Sequence, residues 1–137
     1  MTAFDLKNHV ALVTGGNGGI GLGMARGLAE AGASIAIAAR NMEKSEAAAE
    51  TLRKIGADVI TVSVDVSSEQ SVKDMVSATL DKYGRIDSLI ANAGVNDRKP
   101  PQDYSAETWN WIVETNLSGP FYCAQAVYPA MKAQGRG

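Results

Sequence analysis

The string Thr14-Gly15-Gly16-Asn17-Gly18-Gly19-Ile20-Gly21 separates two segments of different character, and that junction constrains the chain more than any other feature. Before it, "HVALVTG" is a short, Val-rich apolar run, the pattern of a strand buried on both faces. After it, "GIGLGMARGLAEAGA" reads as a helix, with small residues where it would lie close to a sheet. A strand that feeds a helix through a tight turn predicts parallel strands joined by right-handed crossovers.

The alternation continues along the chain. "SIAIAAR" reads as a second strand, and "NMEKSEAAAETLRKIGA" as a helix entered through Asn41 and closed near Gly56. "DVITVSVDV" gives a third strand. "SSEQSVKDMVSATLDKYG" gives a helix with Ser67 and Gln70 spaced as a capping box and Gly84 at its end. "RIDSLIANAG" is a fourth strand, and the polar loop "VNDRKPPQD" follows it. A long helix then starts near Ser105, and Gly119-Pro120 is expected to bend or interrupt it, because proline removes a ladder bond. The fold class expected is α/β, a Rossmann-type doubly wound parallel sheet, with residues 1–137 as one dinucleotide-binding domain.

Composition narrows the possible partners. A net charge of −2, with 13 basic residues spread along the chain, argues against nucleic acid and anionic membranes, which favour clustered basic surfaces. Cys123 is the lone cysteine, so no intrachain disulfide can form and a reducing cytosol is the expected compartment. "MTAFDLKNHV" lacks the charged start and apolar core of a signal peptide, and no apolar stretch is long enough to span a bilayer. The expectation is a cytoplasmic protein. No metal-ligand spacing occurs; His9 reads as solvated and Cys123 as a packing residue.

The glycine turn supplies a chemical reading. Gly15 can take the tight turn, Gly19 lets the backbone approach a ligand, and Gly21 lets the helix pack close to its strand. The helix then points free N–H groups and a positive dipole end at a natural diphosphate site. Dinucleotide sites of this kind usually carry a carboxylate about 20 residues further on, bonded to the ribose 2′-hydroxyl. Here the second strand ends Ala38-Ala39-Arg40 instead. A guanidinium could pair with a 2′-phosphate, so NADP(H) is expected, with NAD(H) as the alternative. The bland reading of Arg40 is a solvated strand-end residue, with cofactor choice made elsewhere.

Four local signals fall in one order: Thr14-Gly15 with Gly19-Ile20-Gly21, then Asp65-Val66, Asn92-Ala93-Gly94 and Thr115-Asn116. Together they resemble the short-chain dehydrogenase/reductase family over nearly the whole chain. The resemblance implies strand order 3-2-1-4 for these four strands and hydride transfer between a nicotinamide and a carbonyl or alcohol substrate. It also implies cofactor roles. Gly15, Gly19 and Gly21, flanked by Thr14, Asn17 and Ile20, would line the diphosphate turn. Asp65 would accept from the adenine amino group, helped by the Val66 backbone, and Asn92, Ala93 and Gly94 would flank the cofactor ribose. Asn116 resembles the family's catalytic asparagine, which holds a water in a proton relay. Quieter readings stand beside these: Asp65 as a helix-start residue, Asn92 as a turn residue, and Asn116 bonding a carbonyl freed near the Gly-Pro break.

Tyr128-x-x-x-Lys132 mimics the tyrosine–lysine pair of that family, whose donor tyrosine lies on the helix after a fifth strand. Tyr128 instead lies twelve residues beyond Asn116 on the same predicted helix, about 18 Å of rise. The pair is therefore read as a coincidence, and Tyr128 as a packing or interface residue. On this reading the chain corresponds to roughly the first half of such an enzyme, without its catalytic serine, tyrosine and lysine. It is expected to bind NADP(H) without turnover, to expose its fourth strand as an apolar edge, and to associate, as a homo-oligomer. A non-catalytic binding or regulatory module, or an epimerase or dehydratase of the same fold, are the rival readings. Trp109 and Trp111, two apart on a helix, cannot share a face; one is expected in the core and the other at an interface or cleft.

Overall fold

The computed structural model describes residues 4–137, so Met1, Thr2 and Ala3, the start of the segment compared above with a signal peptide, lie outside the described residues. Four strands, β1 (Val10–Thr14), β2 (Ser34–Ala39), β3 (Val59–Ser63) and β4 (Ser88–Ala91), form one parallel sheet in the order β3-β2-β1-β4. Helices α1 (Gly19–Glu30), α2 (Met42–Arg53) and α3 (Glu69–Tyr83) make the crossovers. The expected fold class and strand order are those observed.

Strand alternation divides the core in two. Ala11, Val13, Ile35 and Ile37 point to the face covered by α1 and α2, where they meet Ala25, Ala29, Ala48, Ala49 and Leu52. Leu12, Ala36 and Ala38 point to the opposite face and pack with Val72, Met75 and Val76 of α3 and with Cys123 and Val127. β1 and β2 are thus apolar at nearly every position because neither face meets water. On α1 the buried residues Gly21, Ala25 and Ala29 recur at four-residue intervals, which lets this helix lie close to the sheet.

Caps set the helix boundaries. Asn41 accepts from the Lys44 N–H to start α2, and Gly84 closes α3 in the left-handed conformation at φ 72°. The start of α3 differs from expectation. Its N-cap is Ser68, which accepts from the Ser71 N–H, and Ser67 turns back to donate to Asp65. No Ser67–Gln70 capping box forms, because the helix starts one residue later: with Ser68 as N-cap, Gln70 falls at the second helical position and not the third.

The last helical stretch is interrupted, as anticipated, but by a wider turn. α4 (Ala106–Val113) runs into a π-helical turn at Glu114–Ser118, and α5 (Gly119–Gln134) continues from it. Pro120 is the second residue of α5, directly after the π turn, and brings no N–H to the ladder there. The extra residue of the π turn therefore absorbs the irregularity just before the Gly-Pro pair. Neither tryptophan is in the core: Trp109 and Trp111 are both exposed, because α4 contributes no buried residue.

At the N-terminal ends of the strands a polar lock holds the sheet. Asp87 is buried and accepts from the Val10 N–H at 2.9 Å and from Arg85 Nε at 2.8 Å, and Arg136 lies 3.4 Å away. Gln134 Nε2 donates to the Ile86 carbonyl, so the end of α5 is fastened to the same place.

Candidate functional site: a cleft at the C-terminal ends of the strands

All four strands run parallel, so their C-terminal ends open on one side, where open α/β sheets hold ligands. A cleft of about 540 Å³ lies there, lined by Gly15, Asn17 and Gly18, by Arg40, Asn41 and Lys44, by Asp65, Val66 and Ser67, and by Asn92 to Val95. Trp111 and Thr115 close its far side.

The glycine turn is built by contact. Gly15 has φ 63°, a conformation that suits glycine, and its N–H donates to the Ala38 carbonyl at 2.8 Å. A Cβ on Gly21 would lie 2.3 Å from the Gly15 carbonyl oxygen and 2.4 Å from Asn92 Nδ2, so only glycine lets α1 sit this close. α1 begins with no side-chain cap and no acidic residue in its first turn, which leaves its positive end open to an anion. At Gly19 a Cβ would meet nothing within 4 Å, so the backbone there is open to approach. These features fit the diphosphate of a dinucleotide.

Thr14 and Asn92 lash the ends of β1 and β4 together. Thr14 Oγ1 accepts from the backbone N–H groups of Asn92 and Ala93, both at 3.1 Å. Asn92 Nδ2 donates to the Thr14 and Gly15 carbonyls at 3.2 and 3.3 Å. Thr14 is buried beneath the cleft and does not line it. The turn-residue reading of Asn92 and its place on the cleft wall hold together: its amide serves the backbone, and the residue lines the cleft.

Asp65 accepts from the Ser67 N–H at 3.0 Å and from its hydroxyl at 2.6 Å. The Ser67 hydroxyl and backbone N–H bonds, with a smaller part from the Arg40 charge, outweigh burial and hold the Asp65 carboxyl below the usual range. Asp65 thus serves the helix start and still lines the cleft. Asn116, in the π turn, accepts from the Val95 N–H and donates to the Val95 carbonyl, both at 2.8 Å, pinning the loop after β4. Each end of its amide keeps one hydrogen-bonding position to spare.

Of the residues predicted from sequence, Gly15, Asn17, Arg40, Asp65, Val66, Asn92, Ala93 and Gly94 line the cleft. Thr14, Gly19, Ile20, Gly21 and Asn116 stand behind or beside its lining, and Ile20 is 74% exposed. Sequence reasoning passed over Gly18, Ala38, Ala39, Asn41, Lys44, Val64, Ser67 and Thr115 as lining residues, while Trp111 takes the cleft position expected of one of the two tryptophans. Gly18 and Ser67 adjoin the flagged turn and Asp65, and that adjacency was the available signal. Tyr128 is exposed far along α5 with Lys132 Nζ 5.8 Å from its ring centroid, and neither residue lines the cleft. Burial pushes the Cys123 thiol up to about 11, which suits a packing residue. No cluster of three or more His, Cys, Asp or Glu side chains with metal-binding geometry exists among the described residues.

Comparison with known proteins places this geometry. The family model for short chain dehydrogenase matches residues 9–137. Gluconate 5-dehydrogenase of Gluconobacter oxydans is 38% identical over 98% of this chain and 52% of its own length. NADP-dependent mannitol dehydrogenase of Hypocrea jecorina is 40% identical, again over 98% of this chain and 52% of its own. The crystal structure of NAD+-bound xylitol dehydrogenase superposes with a TM-score of 0.93 at 35% identity, covering 96% of this chain and 51% of that one. The chain spans about half the length of the curated relatives it matches. From the glycine turn to Asn116, the chain belongs to the short-chain dehydrogenase family.

Proposed function

We propose that residues 1–137 form one dinucleotide-binding unit of an oxidoreductase that moves hydride between a nicotinamide and a small carbonyl or alcohol substrate, with NADP(H) preferred. The observation that carries this reading is the cleft at the strand ends, where the open N-terminus of α1 and the glycine turn meet Arg40 and Asp65. Gly15, Gly19 and Gly21 would hold the diphosphate, with Thr14, Asn17 and Ile20 around them. Asp65 and Val66 would take the adenine, and Asn92, Ala93 and Gly94 the ribose. Arg40 would pair with the 2′-phosphate. The nicotinamide, when bound, supplies the hydride chemistry. Asn116, with one amide position free at each end, would hold a water beside it. The loop after Gly94 would be the part of these residues nearest a substrate.

NAD(H) is the second reading, favoured by the Asp65 carboxylate next to Arg40, which offsets part of the guanidinium charge. Titration calorimetry with NADPH and NADH tests both. Tighter NADPH binding is expected; no heat with either dinucleotide would defeat the binding role, and tighter NADH binding would transfer the preference. Purified material of these 137 residues is expected to bind without turnover, since it carries no tyrosine–lysine pair at the cleft, and measurable ketone reduction would contradict that. A reducing cytosol suits the free, buried Cys123, and no described helix is long and apolar enough to cross a membrane. The free edge of β4 supports association between copies.

A further inference from the structure

The charged side chains lining the cleft are Arg40, Lys44 and Asp65. Arg40 lies close enough to Asp65 to attract its carboxylate. With two basic side chains against one acid, it is Lys44 that gives these lining groups a net positive charge to offer a phosphate. Lys44 forms no ion pair among the described residues.

The fold fixes where that charge stands. Asn41 Oδ1 accepts from the Lys44 N–H at 2.9 Å, which sets the first turn of α2. Asn17 Nδ2 donates to the Asn41 carbonyl at 3.4 Å and to Ser45 Oγ at 3.2 Å, so the glycine turn and the start of α2 are tied across the cleft. Glycine at position 18 leaves the remaining space. A Cβ there would lie 2.8 Å from Lys44 Nζ and 2.9 Å from its Cε, so the lysine tip occupies the room a side chain would need. The ammonium therefore leans over the glycine turn, while Arg40 approaches from the end of β2.

We propose that Lys44 is a specificity-determining residue for a phosphorylated dinucleotide, its ammonium reaching over Gly18 to hold the adenosine 2′-phosphate together with Arg40. This rests on the NADP(H) reading above and adds a second cation to it. The two groups have complementary chemistry: the guanidinium offers a planar fork of donors, and the ammonium is a compact point charge.

The test is calorimetric titration with adenosine 2′,5′-bisphosphate and adenosine 5′-monophosphate, which differ by the 2′-phosphate alone. Lys44→Ala is expected to weaken the bisphosphate about tenfold and to leave the monophosphate nearly unchanged, with Lys44→Arg retaining most of the preference. Preference that survives Lys44→Ala intact would overturn the lysine's role while leaving the NADP(H) reading in place. Equal weakening of both nucleotides would also overturn it, since Lys44 would then serve the 5′-phosphate. A wild-type protein that does not distinguish the two nucleotides would defeat the NADP(H) reading and this inference with it.

Discussion

Single atoms decide the shape of the cleft. Gly21→Ala would drive a methyl group into the Gly15 carbonyl and the Asn92 amide, neither of which can step aside without moving the turn. A loss of about 1–3 kcal/mol and of dinucleotide binding is expected, read by urea unfolding and calorimetry. Arg40→Asp should shift preference toward NADH, because a carboxylate repels a 2′-phosphate and can accept from a 2′-hydroxyl; unchanged relative affinities would remove Arg40 from that role. Asp87 carries a pH dependence of its own. Burial alone would raise its pKa, but the Arg85 bond and the Val10 N–H outweigh burial and hold it below the usual range. Its stabilisation is therefore present above the ordinary carboxylate pKa of about 3.9 and fades as pH falls through the lower folded value. Asp87→Asn should cost about 1–3 kcal/mol at neutral pH and flatten the acid limb of the stability curve in urea titrations. Arg40 could be found from its spacing to the glycine turn, and Asp65 through the family resemblance that the Asp65-Val66 pair helps to carry. Lys44 could not, because its place depends on the Asn17–Ser45 bond between residues 28 apart in sequence.

Elements were legible where sequence and packing agree. The strands showed themselves because two covered faces demand unbroken apolar runs, and α2 and α3 because Asn41 and Gly84 mark one end of each. What stayed hidden was competition between equivalent neighbours. Two adjacent serines precede α3; Ser68 caps it, while Ser67 donates to the Asp65 carboxylate. Ser68→Ala is accordingly expected to destabilise α3 by about 1 kcal/mol, while Ser67→Ala spares the cap and raises the Asp65 pKa; thermal melts and carboxylate NMR titrations separate the two. The π turn also lay beyond sequence reading, since Gly119-Pro120 marks only its far border. Asn116→Ala should free the loop after β4, seen as faster amide exchange at Val95, whose N–H now donates to the Asn116 side chain.

Across the whole molecule, β4 hydrogen-bonds to β1 on one side and to no other described strand. An edge of this kind favours pairing with another chain, so light scattering of the 137-residue polypeptide should find species heavier than its 14.4 kDa. The parallel sheet has a further effect. The candidate cleft and the Asp87 lock occupy opposite ends of the same strands, roughly 13 Å apart along β1. Injuries at the two poles should therefore combine without synergy: a variant carrying both Asp87→Asn and Lys44→Ala should lose the sum of the single effects, foldedness from one and nucleotide choice from the other. That outcome would make robustness and selectivity separately adjustable in this architecture, each free to drift over evolutionary time without disturbing its counterpart.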